Sequence, residues 1–137
     1  VLTNYTFSKS EIELAADLSN QNTDSKRPLQ GQSPWLVNAG LFYDKANWGS
    51  SFTLLYNVFG PRIRQVGIAG LQNIYEEPYG RLDAVIGQKI WHGQFKLALS
   101  NLLNPEIQEY YGTGADRQLV ASYRRGYNIG ISYSHSF

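Results

Sequence analysis

The chain has 137 residues, a net charge of +1 and only 17% charged residues, with 13 Gly, 10 Tyr, 6 Phe, 3 Trp and no Cys. That charge balance leaves no electrostatic footprint for nucleic acid, and the lack of Cys removes disulfides, thiolate metal sites and cysteine nucleophiles. Mean hydropathy is −0.36, and no window approaches the roughly 18 consecutive apolar residues that a membrane helix needs.

In chain order, six segments alternate with period 2, the signature of strands with two unlike faces. Val1–Phe7 sets Val1, Thr3, Tyr5 and Phe7 against Asn4 and Thr6. Trp35–Tyr43 sets Trp35, Val37, Ala39, Leu41 and Tyr43 against Asn38 and Gly40. Trp48–Phe59 follows, with Phe52, Leu54, Tyr56 and Val58 opposite Ser51, Thr53 and Asn57. Leu82–Ile90 places Leu82, Ala84, Ile86 and Ile90 opposite Asp83, Gly87 and Lys89, and Phe95–Leu103 places Phe95, Leu97, Leu99 and Leu103 opposite Lys96, Ala98 and Ser100. The clearest is Tyr127–Phe137, where Tyr127, Ile129, Ile131, Tyr133, His135 and Phe137 alternate with Asn128, Gly130 and three serines.

Of the 12 basic and 11 acidic residues, only Asp83, Lys89 and Lys96 fall inside these spans, all on the polar face. The connections alternate long and short: Ser8–Pro34, Asp44–Asn47, Gly60–Arg81, Trp91–Gln94 and Asn104–Gly126. Tight turns on one side, long loops on the other and an uncharged apolar face are the plan of an outer-membrane β-barrel. The expected fold is therefore all-β, an antiparallel meander of about six transmembrane strands with the C-terminus periplasmic and no helix longer than two turns. Trp35 near the outer end and Tyr43, Trp48 and Trp91 near the inner end suit aromatic girdles. Passive porins, secretion barrels and a soluble carbohydrate-binding β-sandwich share parts of this pattern and stay open as alternatives.

Asn4-Tyr5-Thr6-Phe7-Ser8-Lys9-Ser10-Glu11, Gly31-Gln32-Ser33-Pro34 with Asn38-Ala39-Gly40-Leu41, Leu55-Tyr56-Asn57-Val58-Phe59-Gly60, Arg62-Ile63, Val66-Gly67, Tyr75-Glu76 and Ser100-Asn101-Leu102-Leu103-Asn104 occur in an order that resembles the closing strands of TonB-dependent outer-membrane receptors. The resemblance is to the large-receptor branch with a carboxypeptidase-regulatory-like N-terminal domain and to its glycan-importing relatives. It implies the C-terminal part of a barrel of about 22 strands around a plug, importing a scarce nutrient such as a metal chelate, oligosaccharide or peptide. The implied partners are the remainder of the barrel and plug, outer-membrane lipid, the TonB complex through an N-terminal part absent from this sequence, the barrel-assembly machinery and, in the glycan-importing relatives, a surface lipoprotein lid. The resemblance also implies a barrel-assembly signal at Ile129, Ile131, Tyr133 and Phe137, although His135 departs from the usual apolar residue. Six strands do not close a wide barrel, so Val1–Phe7 and Tyr127–Phe137 are expected not to pair, and the sequence is expected to be a fragment.

Candidate ligand contacts in the outer loops are Arg62, Arg64, Tyr75, Tyr79, Tyr110, Tyr111, Arg124 and Arg125, residue types that combine contact area with hydrogen bonding; solvated loops are the alternative. Asn57, Asp83, Lys89, Lys96 and Asn128 are expected to face the lumen or plug. His92 and His135 lack the Ser–His–Asp context of a nucleophilic site, and Gly112-Thr113-Gly114 lacks the Lys and helix of a phosphate loop. No catalytic residue, metal site or cofactor is expected, and no enzyme activity.

Overall fold

The computed structural model describes residues 1–13 and 26–135; the sequence-predicted assembly residue Phe137 lies outside them. Among the described residues the strands are β1 (Leu2–Phe7), β2 (Ile12–Glu13), β3 (Lys26–Arg27), β4 (Trp35–Lys45), β5 (Ser50–Phe59), β6 (Arg62–Gln65), β7 (Ile74–Glu76), β8 (Gly80–Ile90), β9 (Gly93–Ser100), β10 (Ile107–Tyr111), β11 (Gln118–Tyr123) and β12 (Asn128–His135). The helical content described is one 3-10 turn, Ala46–Trp48, so no described helix is long and apolar enough to cross a membrane, which says nothing of a β-barrel.

The six strands expected from alternation form one sheet in the order β1-β4-β5-β8-β9-β12, antiparallel throughout. Among the described residues it is open: β1 and β12 stand at opposite edges and do not pair. Register carries the alternation across the sheet, because directly opposed residues share a face. One row runs Leu41, Leu54, Ala84, Leu99 and Ile129, and the next runs Tyr43, Phe52, Ile86, Leu97 and Ile131. The opposite face carries the row Asn4, Asn38, Asn57 and Arg81, within which Asn57 Nδ2 donates to Asn38 Oδ1 and Thr6 Oγ1 donates to Asn4 at 2.9 Å.

The faces are less pure than the sequence suggested. Strand β4 runs to Lys45, so Lys45 joins the apolar face at its turn end, where its ammonium lies 3.4 Å from the Trp48 ring centre. Asp44 and Arg81 also fall inside strands, both on the polar face. Phe42 and Leu55 interrupt that face, and the Phe42 ring lies across Gly40, where any Cβ would meet it.

Among the described residues nothing covers either face of this sheet. Among its strand residues only Gly40, Ala84 and Gly87 are buried, whereas a stacked sheet would bury alternate residues along every strand. Tyr127 is 67% exposed, Ile129 58%, Ile131 69% and Tyr133 57%. These outward residues therefore do not sit between two layers, as a sandwich would require.

The long connections hold more structure than loops. Residues of Gly60–Arg81 and Asn104–Gly126 build a second antiparallel sheet, β11-β10-β7-β6, and β2 pairs with β3. The order matches the first sheet strand for strand: β5 leads into β6, β7 into β8, β9 into β10 and β11 into β12. Pro61, Pro78 and Pro105 stand in three of these four passages, and Gly126, at φ +78°, stands in the fourth. A proline has no N–H to give to a ladder, so adjacent strands lose pairing at the same level and the sheet breaks there. The second sheet holds the described burial of large side chains: Ile63, Ile107, Asn73 and Glu76 are each 2% exposed.

Candidate ligand-binding site

The break between the sheets leaves a cavity of about 300 Å³ on the polar face, lined by Asn57, Phe59, Tyr79, Arg81, Asn101, Arg125 and Asn128 among others. Its floor is built by register. Asn57 and Arg81 are opposed at the ends of β5 and β8, and Ser100 and Asn128 are opposed at the ends of β9 and β12. Its rim comes from the passages themselves, with Tyr79 one residue after Pro78 and Arg125 one residue before Gly126.

The rim is held by specific contacts. The Tyr79 ring meets Phe59 edge-on, with centres 4.7 Å apart, and the Arg62 guanidinium lies 4.2 Å from the other partner's ring centre, that of Phe59. Asn101, in the left-handed region at φ +59°, donates its backbone N–H to Asp83 Oδ1 at 2.8 Å and its side-chain amide to the Gly126 carbonyl. Gly126 N–H in turn donates to Asn104 Oδ1 at 2.9 Å. Burial pushes the Tyr79 hydroxyl above the usual tyrosine range, reinforced by the Glu76 carboxylate and opposed by Arg125 and Arg62. Tyr79 is therefore a protonated donor at neutral pH. Arg125 is raised by its hydrogen bond with Tyr123 and then by Tyr79.

Of the residues that the sequence singled out as outer-loop contacts, the structure brings Tyr79 and Arg125 into this cavity, together with Asn57 and Asn128, which were expected to face a lumen or plug. The others are placed elsewhere. Arg62 is engaged by the buried Glu76, Nε to Oε2 at 2.8 Å. Arg64 pairs with Glu109 at 3.6 Å. Tyr75 accepts from Asn73 Nδ2 at 3.4 Å, Tyr110 donates to Gln108 at 3.1 Å and lies under Arg117, and Tyr111 accepts the Gln72 backbone N–H at 2.8 Å. Arg124 is exposed beside Arg125. Asp83 holds Arg81 at 3.0 Å, while Lys89 and Lys96 lie on the polar face toward the turn end. His92 and His135 meet edge-on at that end, with centres 6.4 Å apart. A second opening of about 580 Å³ lies between β1, β3 and β6, with Arg62 and Tyr75 among its lining.

Sequence reading missed Arg81, Asn101 and Phe59 as members of one site. The alternation starts a strand at Leu82, whereas β8 begins two residues earlier at Gly80 and so includes Arg81; it also carries a strand through Asn101, whereas β9 ends at Ser100. The prolines carried a usable signal, since Pro61, Pro78 and Pro105 each interrupt an otherwise extended stretch. No protein-family model, curated protein or solved structure matches this chain.

Proposed function

We propose that this chain is part of the wall of an outer-membrane β-barrel, the closing strands of a TonB-dependent receptor that imports a scarce nutrient such as a metal chelate, an oligosaccharide or a peptide. The observation that carries the reading is the uncovered sheet: apolar on one face, mainly polar on the other, and open at two edges. In water such a sheet leaves a large apolar surface exposed and two rows of backbone groups ready to pair with other chains. In a barrel wall the same features have partners, with lipid on the apolar face, water and a plug on the polar face, and further strands at both edges. The ordered likeness to the closing strands of such receptors supports the narrower assignment and suggests about 22 strands in all.

On this reading Asn57, Asp83, Lys89, Lys96 and Asn128 face the lumen or plug, the second sheet lies outside the cell, and the chain's C-terminus is periplasmic. Ile129, Ile131 and Tyr133 present the assembly signal to the barrel-insertion machinery. Two measurements test it. The protein is expected in the outer-membrane fraction with heat-modifiable gel migration, and recovery as a soluble monomer without detergent contradicts the barrel. Uptake is expected to stop when TonB is deleted; uptake that continues unchanged points to a passive porin.

A further inference from the structure

We propose that the cavity between the two sheets binds a carboxylate-bearing polyhydroxyl ligand, such as a uronic-acid unit of an oligosaccharide, with Arg125 pairing the carboxylate. The proposal deepens the import reading and rests on it for the assignment of the polar face to the lumen.

Charge decides the first half. The lining includes the two guanidiniums of Arg81 and Arg125 and no carboxylate. Arg81 is already held by Asp83 at 3.0 Å from outside that lining. Arg125 has no carboxylate partner within ion-pair distance among the described residues, and its guanidinium carries five N–H donors. A planar guanidinium with free donors matches a carboxylate in a two-point contact.

Shape and the remaining lining decide the second half. A simple inorganic anion does not need about 300 Å³. The amides of Asn57, Asn101 and Asn128 are donors and acceptors that suit hydroxyl groups, and Tyr79 adds a protonated hydroxyl and an aromatic surface fixed by Phe59. A neutral sugar would meet the amides and the ring but leave Arg125 without its counter-charge.

Isothermal titration of the purified full-length protein in detergent micelles tests this, with digalacturonate, its neutral counterpart galactobiose, and inorganic phosphate as probes. Digalacturonate is expected to bind at least about tenfold more tightly than galactobiose, and Arg125→Ala to remove that difference while Arg125→Lys keeps part of it. Tyr79→Phe is expected to weaken both sugars alike. No binding of digalacturonate, equal affinity for the two sugars, indifference to Arg125→Ala, or phosphate binding as tightly as digalacturonate would each overturn the proposal. Heat-modifiable migration of the same sample reports separately on the barrel. A heat-modifiable protein without the preference loses only this proposal, and a detergent-independent protein with the preference loses only the barrel.

Discussion

Glu76 and Asn73 show how a few buried polar residues shape the second sheet. Glu76 is 2% exposed and its carboxylate is met by Arg62, which also lies over Phe59 and so links the ion pair to the cavity rim. Removing one partner strands the other charge in a dry site. Arg62→Ala is expected to destabilise the second sheet by about 3 kcal/mol, the lower end for a buried pair because Arg62 keeps some exposure; faster proteolysis within residues 60–81 would report it, and unchanged cleavage would count against it. Asn73 organises the turn before β7, accepting from Gly67 N–H at 2.8 Å while its carbonyl accepts from Gly112 N–H at 3.0 Å. Asn73→Ala leaves the Gly67 N–H without that partner, an expected loss of about 1–3 kcal/mol, readable as a lower unfolding midpoint for this sheet. Asn73 carries no local signal in the sequence, and Glu76 enters the sequence reading only within the pair Tyr75-Glu76 of the resemblance, with nothing there to mark its burial. Burial of a short loop strand depends on contacts distant in sequence, which local pattern does not carry.

At the scale of elements, the long strands were legible because one physical cause, a sheet with unlike faces, writes period 2 over six to eleven residues. The six expected spans match β1, β4, β5, β8, β9 and β12, with ends that coincide or shift by up to three residues, the expected end at Phe137 lying outside the described residues. The strands of the second sheet were not legible: β6 has 4 residues and β7 has 3, too short to show a period. The proline level between the sheets predicts a gap in protection. Amide exchange is expected to be fast at Tyr79, Leu103, Glu106, Arg124, Arg125 and Tyr127, which lie in these passages, with slower exchange in the strands on both sides; continuous protection through these passages would mean an unbroken sheet. The faces predict an asymmetry on one strand. Leu54→Lys puts a charge on the apolar face and is expected to cost about 2–4 kcal/mol or to block assembly, whereas Thr53→Lys, on the opposite face of β5, is expected to be tolerated. Equal effects on detergent-solubilised folding yield would remove the distinction.

For the whole molecule, the open sheet states what the wall reading requires. Among the described residues β1 and β12 each pair on one side only, and in a membrane every unpaired backbone group costs several kcal/mol. Residues 1–137 expressed alone are therefore expected not to yield a monodisperse, heat-modifiable barrel, and a self-sufficient barrel from them would contradict the proposed place in a larger wall. The central claim, that one face of the six-stranded sheet meets lipid, is tested most directly by labelling. The sequence contains no Cys, so single cysteines placed in turn at residues 52–57 of β5 can each carry a spin label in the full-length protein reconstituted into bilayers. The account predicts period-2 alternation, with labels at 52, 54 and 56 accessible to oxygen dissolved in lipid and labels at 53, 55 and 57 accessible to a water-soluble relaxant. Labels that reach the aqueous relaxant equally from both faces would contradict it.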